Sequence, residues 1–216
     1  MTDTGCAYCG RSDPETVDHV PPKTVFPKPR PSGLITVPCC SECREGTSLD
    51  DEYFRDRIAM RGDVAGKPEA LGVLDATMRS FKRPQKRRHL RALMDRVAIR
   101  EVWSDHGILA ARDPVYEVKA SRIYRVVNRT VRGLLYHHTG QRTDADAVQC
   151  VGLDFLDVSD DPSVGEDFVA LLKILSRAPE HEVQPGVFRY RFQRDGGASL
   201  WTMVFFERVI FLAYVS

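Results

Sequence analysis

Two sets of residues near the start of the chain are arranged to do chemistry. Cys6-x2-Cys9 and Cys40-x2-Cys43 are cysteine pairs separated by 30 residues, and Asp18-His19 lies between them in the stretch "ETVDHVPPK". A C-x2-C turn aims two sulfurs at one point, and four thiolates satisfy tetrahedral zinc at Zn–S of about 2.3 Å. With every position taken by sulfur, such an ion is structural, not catalytic. Closing it joins the ends of the intervening loop and fixes Asp18 and His19 relative to whatever follows Cys43. An imidazole held in that way can transfer a proton near neutral pH. By itself, an Asp-His pair is also an ordinary polar turn. Cys39 and Cys150 read as small buried hydrophobes, and a redox use of the C-x2-C pairs predicts freely titrating thiols and no zinc.

The segment carrying these residues needs a staple. Its first 47 residues hold seven prolines and few apolar side chains. The whole chain of 216 residues is long enough to bury a core without covalent help. Hydrophobic residues make up 43% and charged residues 28%, an ordinary globular composition, and the net charge of +1 excludes a uniformly basic nucleic-acid binder. Basic surface must be local. No apolar run approaches a membrane span and the start lacks a secretory pattern, so a cytoplasmic protein with reduced thiols and no membrane partner is expected.

Downstream, periodicity predicts helices over 48–61 (Ser48 as N-cap), 68–81, 85–97, 121–138 and 164–178. In the fourth, Ile123, Val126, Val127, Val131, Leu134, Leu135 and His138 share one face, and Gly140 is placed to stop it. Strands are expected over 97–104, 107–113 and 150–158, and three more from Gly186 to the end, turning at Gly196-Gly197 and near Glu207-Arg208. Phe188, Tyr190, Trp201 and Phe206 read as core. The expected architecture is α+β: an N-terminal zinc-stapled module over 1–62, then an α+β domain over 63–216 with helices first and a C-terminal antiparallel sheet.

The order of "CAYCG", "VDHVPPK" and "ITVPCCSECREGTSLDDEYF" resembles the zinc-stapled form of the HNH (ββα-metal) endonucleases over about residues 4–56. The resemblance implies metal-dependent hydrolysis of DNA phosphodiester bonds; RNA is not excluded. His19 would be the general base that deprotonates water, and Asp18 would hold one divalent cation, Mg2+ or another. Neighbouring residues on an extended segment point to opposite sides, so one can face the metal and the other the water.

The pattern departs from the family just after the last knuckle, where Arg44 replaces the usual polar metal ligand. A guanidinium does not ligate a cation. Glu45, Asp50 or Asp51 could supply that ligand, or Arg44 could clamp a phosphate oxygen. The third outcome is a catalytically inactive zinc-binding module that contacts nucleic acid or protein. Acids in a first helical turn also serve the helix dipole, which is the plain account of Asp50, Asp51 and Glu52.

Phosphate contacts would need clustered cations. Lys23, Lys28, Arg30 and Arg44 lie near the Asp-His pair in sequence. Lys82, Arg83, Lys86, Arg87 and Arg88 form a basic run. Arg122, Arg125, Arg129 and Arg132 make a stripe on the strongest helix, either tracking a nucleic-acid backbone or forming a solvated face. His137-His138 closes that helix, where a partly charged imidazole suits the dipole.

Overall fold

In the computed structural model, which describes residues 5–104, 106–153 and 162–216, the loop-rich start pairs into a hairpin. Its strands are β1 (Thr16–His19) and β2 (Thr36–Cys39), antiparallel, with Asp18 opposite Val37 and His19 opposite Thr36. The short helix α1 (Ser41–Arg44) follows, then α2 (Thr47–Ala59). Ser48 is not the N-cap. Gly46 takes that place at φ 76°, a left-handed conformation that glycine adopts without strain, and the chain turns there from α1 into α2.

The chain is α+β. Residues Met1–Leu74 and Ala120–Ser216 form one compact unit, and Asp75–Lys119 form a second. After α3 (Gly62–Ala65), helix α4 (Pro68–Phe81) begins in the first unit and ends in the second. The second unit continues with α5 (Pro84–Met94) and the hairpin of β3 (Val97–Trp103) and β4 (Leu109–Tyr116).

The first unit resumes with α6 (Ala120–Thr139), whose buried residues include Ile123, Val126, Val127, Val131, Leu134 and Leu135. Gly140, at φ 69°, ends it as expected. Five antiparallel strands make the C-terminal sheet: β5 (Val148–Gly152), β6 (Glu180–Gln184), β7 (Phe188–Asp195), β8 (Ala198–Phe205) and β9 (Val209–Val215). Their order is β5-β9-β8-β7-β6, with α7 (Pro162–Leu175) inserted after β5. Strand β5 starts two residues before Cys150 and stops at Gly152; residues 154–158 of the expected strand lie outside the described residues. Edge strand β6 was not anticipated. Its sequence, Glu-His-Glu-Val-Gln, is polar because one side of an edge strand meets water.

Phe188, Tyr190, Trp201 and Phe206 are core residues, each at most 2% exposed. Helix α6 packs against α2 and against β2, β5 and β9, so it joins the cysteine-bearing segment to the sheet. Phe54 of α2 adds an edge-on contact to Phe205, ring centroids 5.2 Å apart. No helix among the described residues is long and apolar enough to cross a membrane.

Candidate functional site

The two C-x2-C turns converge. The sulfur atoms of Cys6, Cys9, Cys40 and Cys43 all lie within 4.8 Å of one another. A zinc tetrahedron with Zn–S of about 2.3 Å has edges of about 3.8 Å, and Cys9 Sγ stands 3.7 Å from Cys40 Sγ. Backbone hydrogen bonds shape the first turn: Cys6 N–H donates to Arg11 O at 2.8 Å and Gly10 N–H to Cys6 O at 2.9 Å. Ala7 N–H donates to Pro38 O at 2.8 Å, which ties the turn to β2. This donor set fits structural zinc. Cys39 stays out of the group; its Sγ–H donates to Cys40 O at 3.3 Å, and burial, then Asp18, pushes its thiol up to about 12.

Asp18 and His19, neighbours on β1, both border a cavity of about 550 Å3 whose lining also includes Lys23, Arg44, Glu45, Thr47, Asp51 and Glu52. Its ring nitrogens make no hydrogen bond to any described residue. Burial holds the imidazole below its ordinary value and the Lys23 ammonium adds to this; Asp18 opposes them, while Arg44 and Arg30 lower it further. A neutral ring can accept a proton.

Asp18 is held from several directions. Its Oδ2 accepts the Tyr8 hydroxyl at 2.7 Å and lies 3.2 Å from Arg129 Nε; its Oδ1 accepts the His19 N–H at 3.0 Å. Burial, then the Asp18 charge, raises the Tyr8 phenol far above its ordinary range, which keeps the proton that it donates. Arg129 Nη2 also reaches Asp51 Oδ1 at 2.5 Å. Burial lifts Asp51 to about 6, and the Arg129 guanidinium offsets part of that rise.

The arginine stripe on α6 is therefore engaged by partners within the unit, although Arg125 stays 60% exposed. Arg122 and Arg125 donate to the two oxygens of Asp50 at 2.5 and 2.7 Å. Arg132 donates to Tyr8 O at 2.7 Å and to Thr143 O at 2.9 Å. The stripe was legible from its spacing, but its direction was not, because the nearest of the carboxylates that it meets lies 72 residues away in sequence. Tyr8 gave no signal beyond its place inside a knuckle.

Of the other candidate residues, Lys23 and Arg44 reach the cavity wall. Arg30 is exposed and donates to Lys23 O at 2.8 Å, and Lys28 is exposed without lining the cavity. Glu45 is exposed and borders both this cavity and a second of about 610 Å3, lined in part by Tyr8, Tyr124, Arg125, Asn128 and Arg132. Lys82, Arg83 and Arg87 are exposed and Lys86 half-buried in the second unit; the side chain of Arg88 lies outside the described residues. His138 is committed to the sheet, its Nε2 standing 2.8 Å from Tyr190 Oη.

A resident divalent cation does not fit the Asp18 site. Asp18 Oδ2 already meets two donors, and Asp50 and Asp51 are paired with arginine. Among the described residues, the four cysteines are the one group that gathers three or more His, Cys, Asp or Glu ligand atoms closely enough. Compared with known proteins, the chain matches no family model, no curated protein and no solved structure.

Proposed function

We propose that the His19 cavity is a site of phosphodiester hydrolysis acting on DNA, built on a zinc-stapled hairpin. The observation that carries this reading is His19 itself: a ring with unengaged nitrogens, kept neutral by burial and neighbouring cations, facing a cavity that also receives Lys23 and Arg44. In this reading His19 takes a proton from water as the water oxygen bonds to phosphorus. The P–O3′ bond breaks, and the leaving oxygen takes its proton from solvent. Lys23 and Arg44 hold non-bridging oxygens through charge-assisted hydrogen bonds. No step is assigned to Mg2+, since the donors around Asp18 do not fit it.

One observation favours a second reading, binding of nucleic acid or protein without hydrolysis. Asp18, the carboxylate expected to hold the cation, is engaged by Tyr8 and Arg129. Plasmid nicking separates the two. Zinc-loaded wild type and His19→Ala are compared with and without Mg2+ or Mn2+, alongside a DNA-binding measurement. Cleavage by wild type that is lost in the variant supports hydrolysis. Equal cleavage by both indicates a contaminant, and binding without cleavage supports the second reading.

A further inference from the structure

The place that the family resemblance reserves for a divalent ion already holds a charge. Arg129 Nε stands 3.2 Å from Asp18 Oδ2, and its Nη2 stands 2.5 Å from Asp51 Oδ1. The three side chains are only 12%, 13% and 15% exposed. We propose that Arg129 is the resident cation of this site: its guanidinium bridges Asp18 and Asp51 where a divalent ion would otherwise bridge them, so the folded protein carries no Mg2+ there. This rests on reading the His19 cavity as the reactive site, but it concerns charge placement and not turnover.

Three features make the guanidinium a fixed part of the site. Two carboxylates buried side by side need a compensating charge, and arginine provides one that deprotonation cannot remove. The planar fork of arginine also lets Nε and Nη2 serve different carboxylates at once. Finally, the helix that carries Arg129 is anchored on both sides of it. Arg122 and Arg125 grip Asp50, and Arg132 holds the Tyr8 carbonyl.

Helix α6 also sits very close to the hairpin. A Cβ at Gly133 would lie 2.6 Å from Val20 Cγ2 and 3.2 Å from the Tyr8 hydroxyl oxygen. The same hydroxyl donates to Asp18 Oδ2, so that oxygen is committed to Tyr8 and Arg129 together. Asp18 and Asp51 also border the His19 cavity, so a divalent ion arriving from there meets two carboxylates whose charge the guanidinium already offsets.

Mn2+ binding tests this. Zinc-loaded wild type and Arg129→Gln are titrated with Mn2+, and free ion is read by electron paramagnetic resonance; zinc content and circular dichroism verify that both are folded. Arg129→Gln should bind one Mn2+ at least tenfold more tightly than wild type, and Arg129→Lys, which keeps the charge, should show no such gain. Absence of a gain in Arg129→Gln overturns the proposal. Should that variant fail to fold, wild-type crystals soaked in Mn2+ decide by anomalous scattering. No peak within coordination distance of Asp18 supports the proposal, and a peak there overturns it. Neither readout uses cleavage, so a wild type that never cuts DNA would count against the hydrolytic reading and leave this inference standing.

Discussion

The Tyr8 hydroxyl, from inside the first cysteine turn, donates to Asp18 Oδ2 on β1 across 2.7 Å. The same turn carries Cys6 and Cys9, so one short piece of backbone supplies two of the four sulfurs and the donor to the residue beside His19. Tyr8→Phe keeps the ring and removes only the donor. Leaving a buried carboxylate oxygen short of a partner costs about 1–3 kcal/mol. A urea midpoint lowered by that amount, with zinc content unchanged, is the expected result; an unchanged midpoint would contradict this role for the hydroxyl.

Metal removal should act on the hairpin first. Zinc analysis of reduced, purified protein should give one ion per chain, and Cys40→Ser with Cys43→Ser should give almost none. Because metal binding and folding of such a module are one process, the double variant should lose amide protection over Thr16–Cys39 in hydrogen exchange. Protection equal to wild type would show that the hairpin stands without its staple.

Asp50 sits between two guanidinium groups, and it is the partner that both need. Asp50→Ala should destabilise the protein by less than the roughly 3–5 kcal/mol that breaking a well-buried pair costs, because Arg125 is 60% exposed. Lys82→Ala and Arg87→Ala, both at exposed positions, should change stability by less than about 0.5 kcal/mol. Chemical denaturation of the three variants checks the contrast.

Stability should fall in acid partly through His138. Burial first, then His137 and His181, lowers this imidazole from 6.5 to about 4. As pH falls, the unfolded chain takes up the proton before the folded one does. The contribution of His138 is therefore complete above about pH 6.5 and is lost as pH drops through about 4. His138→Gln removes the titration, so its urea midpoint should decline less than that of wild type between pH 7 and pH 4. Parallel declines would count against it.

Gly133 is where α6 comes closest to the hairpin. Alanine normally favours a helix over glycine by about 1 kcal/mol. Here the added Cβ would meet Val20 Cγ2 at 2.6 Å. Gly133→Ala should therefore destabilise by about 1–3 kcal/mol, the usual cost of overpacking. A thermal melt no lower than wild type would mean that the contact can relax freely.

Helix α6 divides what was legible in the sequence from what was not. Its apolar period and its Gly140 stop are local features, and the observed helix Ala120–Thr139 follows them. The same holds for helix α4 and for the C-terminal turn at Gly196-Gly197. The convergence of four sulfurs was also legible, because a C-x2-C spacing carries its own geometry. The partners of Arg122, Arg125 and Arg129 were not. Spacing places those arginines on one face of a helix, but only packing decides whether that face meets water, a nucleic acid or Asp50, Asp51 and Asp18. Local pattern determined the long helices, the last three strands and the staple, but not the β1–β2 hairpin or β6. Tertiary structure decided the charge around Asp18, since an ion pair between distant residues exists only after the hairpin and helix α6 have docked.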